Sequence, residues 1–155
     1  MNVTSKITRK RAVAGVAGLA VAAGLAATGA GMANAGTLPV THPGEPTTAM
    51  TITNHSNHYE FLTGATPGAG HWVDAPQQVL APGASETVVA VAPNAPAMTT
   101  FVNYRVGLTG PVATYELENM AGNVNYAMSG VGDHYFIDAN ISSGFPNVNA
   151  TYNLS

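Results

Sequence analysis

Asn147-Val148-Asn149-Ala150-Thr151-Tyr152-Asn153-Leu154 closes the chain with a strict two-residue period. Val148, Ala150, Tyr152 and Leu154 fall on one side of an extended strand, with Asn149, Thr151, Asn153 and Ser155 on the other. Side chains alternate across a strand, so such a segment has one dry face and one wet face. The alternation runs to the last residues, which predicts that they are paired into a sheet.

Working back from this segment, the same period recurs. Tyr135, Ile137, Ala139 and Ile141 form one set; Val124, Tyr126 and Met128 form another. Ala113, Tyr115 and Leu117 alternate with Thr114, Glu116 and Glu118, and Val102, Tyr104 and Val106 alternate with Phe101, Asn103 and Arg105. Thr87, Val89 and Val91 follow the turn Pro82-Gly83, and Met50 and Ile52 are offset from Thr51 and Thr53. Between them lie turn formers such as Thr66-Pro67-Gly68, Ala81-Pro82-Gly83 and Ala121-Gly122-Asn123. Short strands separated by regular turns predict an all-β chain. Their apolar faces require a second sheet, so the expected fold is a two-layer antiparallel β-sandwich of about eight strands.

The first residues read differently. Lys6, Arg9, Lys10 and Arg11 precede an uncharged run over 12–31, rich in Ala, Val, Gly and Leu, that leads to Ala33-Asn34-Ala35. Positive charge, an apolar stretch and small residues in that order make a secretory signal peptide, with cleavage expected after Ala35. A run of about 20 apolar residues could also span a bilayer, but Ala and Gly are weakly apolar and the triplet suits cleavage. The domain plan is therefore a signal peptide over 1–35, a Pro-rich extended leader over 36–48, and a β-sandwich domain over 49–155. With no Cys in the chain, lipoprotein attachment, disulfides, thiol catalysis and thiolate metal sites are excluded.

Removing 1–35 leaves a single cation, Arg105, against eight carboxylates, or seven net negative charges with His neutral. One cation cannot neutralise several phosphates, so nucleic acid is not an expected partner, and anionic lipid is disfavoured on the same ground. The expected partners are membrane lipid with neutral headgroups, a cell-surface ligand or another protein.

Sites of chemistry are hard to find. His55 and His58 flank a polar turn and could hold a metal with His71, but the spacing matches no established ligand pattern, so no metal and no cofactor are expected. Glu116 and Glu118 lie two apart on one strand face, whereas glycosidase carboxylates flank a cleft. Asp133, Asp138 and Asn140 are interrupted by strand periodicity, which argues against a calcium loop. No Gly-x-Ser-x-Gly elbow and no phosphate loop is present. The chain is read as non-catalytic.

Aromatic residues are more informative. Tyr59, Phe61 and Trp72 bracket the Gly-rich segment Gly64-Ala65-Thr66-Pro67-Gly68-Ala69-Gly70, and Phe145 lies in a second loop. On loops, flat rings with polar edges can enter a lipid interface or stack on a sugar, so these four are the candidate ligand-binding residues. For Trp72 the competing reading, a plug in the core of a small β domain, is the stronger.

The order of features also resembles a family. An opening strand ends in Asn54, and Phe61 precedes the Gly-rich segment and Trp72. Then come Ala75-Pro76-Gln77-Gln78-Val79-Leu80-Ala81-Pro82-Gly83-Ala84-Ser85-Glu86, a strand with Tyr104, and Tyr115-Glu116-Leu117-Glu118-Asn119-Met120-Ala121-Gly122-Asn123-Val124-Asn125-Tyr126. From Met50 to Tyr126 this is similar to the aegerolysins and the bacterial crystal-protein family, with Met120 where those proteins usually have Pro and Leu117 where an aromatic is common. The resemblance implies an immunoglobulin-like sandwich that binds membrane lipid and in some members is toxin-like. The alternatives are a cell-envelope protein acting through protein contacts, and a secreted hydrolase or enzyme inhibitor. Amino-terminal sequencing of the exported protein is expected to begin at Gly36; a start at Met1 would overturn the reading of the leader.

Overall fold

A computed structural model describes residues 45–122 and 124–155. The expected signal peptide over 1–35 and most of the expected leader lie outside the described residues. Among the described residues there is no helix; ten strands form two five-stranded sheets. They are β1 (Thr47–Asn54), β2 (Glu60–Thr66), β3 (His71–Asp74), β4 (Val79–Leu80), β5 (Ser85–Val91), β6 (Ala97–Val106), β7 (Val112–Met120), β8 (Val124–Gly130), β9 (Ile137–Ile141) and β10 (Asn147–Leu154). One sheet runs β3-β5-β1-β10-β9 and the other β4-β2-β6-β7-β8.

The sandwich has ten strands where about eight were expected, because the short strands β3 and β4 are separate edge elements. One pairing departs from the antiparallel expectation. β1 and β10 run parallel, in register from Thr47 opposite Asn147 to Asn54 opposite Leu154. β1 opens at Thr47, within the stretch read as leader, and the buried Pro46 accepts the amide of Ala92 at 2.9 Å.

Alternation decides which faces meet. On β10 every second residue from Val148 to Leu154 is buried, and on β6 and β7 the sets Val102-Tyr104-Val106 and Ala113-Tyr115-Leu117 are buried too. With Met50, Ile52 and Val88 they make one core between the sheets. Val124, Tyr126 and Met128 reverse the expected inward set: all three are exposed. The pairing explains it, since Tyr126 stands opposite Glu118 and Met128 opposite Glu116, on the outer face of β7. Thr87 likewise lies on the outer face, its hydroxyl 3.2 Å from that of Thr51, while its neighbours Glu86 and Val88 are buried.

Polar side chains tie the layers. The Thr48 and Thr100 hydroxyls meet at 2.7 Å, and the Asn119 amide donates to the carbonyls of Thr47 at 3.0 Å and Pro146 at 2.7 Å. Tyr104 donates to the Glu86 carboxylate at 2.6 Å, and Tyr152 donates to the Glu116 carbonyl. Such bonds satisfy groups that would otherwise be costly to bury, and each also holds the two sheets in register.

The strand ends sort the connections into two groups. Segments 55–59, 81–84, 107–111 and 131–136 gather with Ser155 at one end; segments 67–70, 93–96 and 142–146 lie at the other. At the first end, Ala81-Pro82-Gly83-Ala84 closes with an Ala84 amide to Ala81 carbonyl bond of 3.0 Å and Gly83 at φ 74°. Pro then Gly at the two central positions is the chemistry of a type II turn. Ile52→Ala is expected to cost about 2–5 kcal/mol, the usual loss for a fully buried branched side chain; a chemical denaturation midpoint close to the parent's would contradict the core as described.

Candidate functional site

Asn54 organises the loop end. Its side-chain amide donates to the carbonyls of His58 at 2.8 Å and Leu80 at 3.2 Å, while its oxygen accepts the Ser56 amide at 3.0 Å and the Ser56 hydroxyl at 2.7 Å. An Asx-type turn of this kind replaces ladder bonds where the strand stops. The backbone amide of His55 donates to Leu154 at 2.7 Å, and that of Gly83 donates to Asn54 at 2.7 Å. The loop over 55–59 is therefore fastened to β10, β4 and the turn before β5.

Two further connections join it. The Gly107 amide donates to the Tyr59 carbonyl at 2.7 Å, and Gly107 sits at φ 67°, a conformation that suits glycine. A side chain there would also meet the His58 ring, 3.5 Å from the position a Cβ would take. The His58 Nδ1 and the Tyr135 hydroxyl are 3.0 Å apart, and the His134 ring stacks on Tyr135 with centroids 5.9 Å apart. Phe136 and Ser155 exchange two backbone bonds of 2.9 Å, which ties the 131–136 segment to the end of β10.

The result is an end from which large apolar side chains project. Tyr59 is 53 % exposed, Leu108 83 % and Phe136 66 %, each from a different connection. Their connections are joined through the Gly107 to Tyr59 bond and the His58 to Tyr135 contact. Scattered exposed apolar residues are ordinary, but three on adjacent loops of one end are the form a contact surface takes.

A buried polar cluster lies beneath. Glu60, the first residue of β2, is 0 % exposed; one carboxylate oxygen accepts the Tyr115 hydroxyl at 2.6 Å, and Oε2 has no hydrogen-bond partner. Burial pushes its pKa up to about 7, opposed by the Tyr115 hydrogen bond and assisted by the nearby Glu86 charge. Glu86 is raised by burial as well, but its two oxygens are satisfied by the Gln77 amide at 2.8 Å and the Tyr104 hydroxyl at 2.6 Å. Burial also drives the hydroxyls of Tyr104 and Tyr115 far above their ordinary range, so both remain donors.

The four candidate aromatics divide between the two ends. Tyr59 and Phe61 keep company at the loop end, ring centroids 6.4 Å apart. Trp72 is half-buried and packs against both core clusters, including Ala90, Ala92 and Met98. Phe145, also half-buried, sits in the segment before β10 at the opposite end. Among the histidines, His55 and His58 share the loop end, whereas His71 pairs with Val91 at the far end. Among the described residues no group of three His, Asp or Glu side chains could hold a metal. Glu116 and Glu118 share the outer face of β7, opposite Met128 and Tyr126.

Leu108 and Phe136 escaped sequence reasoning. Leu108 stands in Gly107-Leu108-Thr109-Gly110-Pro111, where an apolar residue among turn formers was a usable signal. Phe136 is out of phase with Tyr135 and Ile137. Glu60 and Glu86 turn inward with Leu62 and Val88, a phase hidden in the sequence because Thr87, Val89 and Val91 alternate against Glu86. Compared with known proteins, the chain matches no family model and no curated protein. Asn54→Ala removes the side-chain partner of the Ser56 amide and of the Leu80 carbonyl, while the Ser56 hydroxyl keeps the His58 carbonyl at 3.2 Å, and is expected to cost about 2–6 kcal/mol, at roughly 1–3 kcal/mol for each buried group left unpaired. Denaturant titration checks it, and a loss below 1 kcal/mol would remove Asn54 from its organising role.

Proposed function

We propose that this chain is a secreted, non-catalytic β-sandwich module that binds a membrane surface with neutral headgroups through its loop end. The observation that carries this reading is the projection of Tyr59, Leu108 and Phe136 from three neighbouring connections. Aromatic and aliphatic side chains of this kind partition into the interfacial layer of a bilayer, rings at headgroup depth and Leu deeper. The charge of the chain, one Arg against eight acids after 1–35, favours uncharged headgroups over anionic ones.

Protein contact is a second reading, favoured by one observation. β8 is the outer strand of its sheet, free of charge and proline, and presents Val124, Tyr126 and Met128 to solvent. An edge of that kind can accept a strand from another protein.

Co-sedimentation with phosphatidylcholine vesicles, with and without sphingomyelin, tests the first reading. The parent protein is expected to pellet, and a Leu108→Asp, Phe136→Asp double variant to lose at least about tenfold in affinity, since each buried side chain contributes about 1.5–3 kcal/mol. Absence of binding to every vesicle, or equal binding by the double variant, would sink it. If only Tyr126→Asp abolished capture by the cell envelope, the second reading would replace it.

A further inference from the structure

We propose that Glu60 is a proton-operated latch that holds the loop end closed when its carboxyl is neutral and releases it when ionised. The proposal deepens the reading of that end as a contact surface and rests on it only for the consequence of release.

Position makes the latch. Glu60 is both the first residue of β2 and the neighbour of the exposed Tyr59, so moving one moves the other. The Tyr59 carbonyl holds the Gly107 amide, which fastens the loop bearing Leu108. On one flank Glu60 pairs with Val106 of the ten-residue β6, a firm neighbour. On the other it pairs with Leu80 of β4, an edge strand of two residues. A two-residue strand at the rim of a sheet is the weakest cover in the vicinity, and local opening follows the weakest contacts.

Chemistry supplies the trigger. The groups facing Glu60 are Tyr115 from β7, Tyr104 from β6 and Glu86 from β5, with Asp74 of β3 beyond Glu86; β4 offers only Val79 and Leu80. None is a cation. An ionised Glu60 would have one oxygen bonded to Tyr115, the other bare, and a second carboxylate across the core. Glu86 has no such vacancy, since both its oxygens are bonded. Ionisation is thus relieved by exposing Glu60, for which β4 must lift.

The sign follows from linkage. With a pKa near 7 when buried and an ordinary 4.5 when exposed, Glu60 favours the closed form below pH 4.5. That preference is lost progressively as pH rises from 4.5 through 7. Between pH 5.5 and 8.5 the opening equilibrium is expected to rise by roughly thirtyfold.

Amide hydrogen exchange on the purified protein, corrected for the intrinsic effect of pH, reads this opening. Protection of the Gly107 and Leu62 amides is expected to fall by tens of fold between those pH values. Protection of the Ala92 and Ala121 amides at the opposite end is expected to fall much less. Glu60→Gln should abolish the step, and Tyr115→Phe, which removes the hydroxyl that favours ionisation, should move it to higher pH. A step that persists in Glu60→Gln, an equal step at Ala92 and Ala121, or no step in the parent would overturn the latch. Should Glu60→Gln fail to fold, an unshifted step in Tyr115→Phe would overturn it. Vesicle co-sedimentation on the same sample separates the two readings. A step without sedimentation sinks the lipid surface and upholds the latch, whereas sedimentation without a step sinks the latch.

Discussion

The in-register parallel ladder between β1 and β10 is the constraint on which the remaining structure depends. Residues far apart in the chain must meet face to face from Thr47 and Asn147 to Asn54 and Leu154. A slip of one residue would turn Met50 and Ile52 outwards and bring Thr51 into the core. The pairing also seats Tyr152 against Tyr115, with ring centroids 5.5 Å apart in an edge-to-face arrangement, which joins the layers at mid-core. Where the ladder ends, Asn54 is left beside Leu154, and from that point the loop end is assembled.

Polar groups lie within this core. Three tyrosines and two carboxylates lie between the sheets, and most of their polar atoms are paired with one another or with backbone. Burying carboxylates is costly, and replacing such groups by apolar residues often stabilises a fold. Glu86 repays part of that cost by joining Gln77 to Tyr104 across the layers. Glu60 does not, since one of its oxygens is left bare, and departures from full satisfaction tend to mark places where a protein gives up stability for something else. Its location directly beneath the exposed end ties that departure to the candidate surface.

Much of the fold was legible because period-two patterning is a direct imprint of one-sided burial. Val148 to Leu154, Val102 to Val106 and Ala113 to Leu117 all face as the alternation indicates. Val124, Tyr126 and Met128 did not, because alternation shows that a strand has two faces without saying which is dry. The answer lay in Glu116 and Glu118, whose outer face the β8 side chains share through pairing. The parallel β1–β10 ladder was illegible for a similar reason: the pattern within each strand is the same whichever way its neighbour runs. Of the candidate site, Tyr59 and Phe61 were readable as aromatics beside a turn, while Leu108 and Phe136 became visible only when three separate connections met in space. Trp72 and Phe145 belong to the opposite end, a division that sequence spacing cannot express.

One end of the sandwich, and not the other, is the proposed contact surface. Because the chain has no cysteine, a single nitroxide label can be placed without ambiguity. Power-saturation spectroscopy of Leu108→Cys and Asn94→Cys, each labelled and mixed with phosphatidylcholine vesicles, measures the depth of each end. The label at 108 is expected to become accessible to oxygen and shielded from a water-soluble relaxation agent, with the label at 94 remaining in water. Shielding at 94, or no change at 108, would contradict the account.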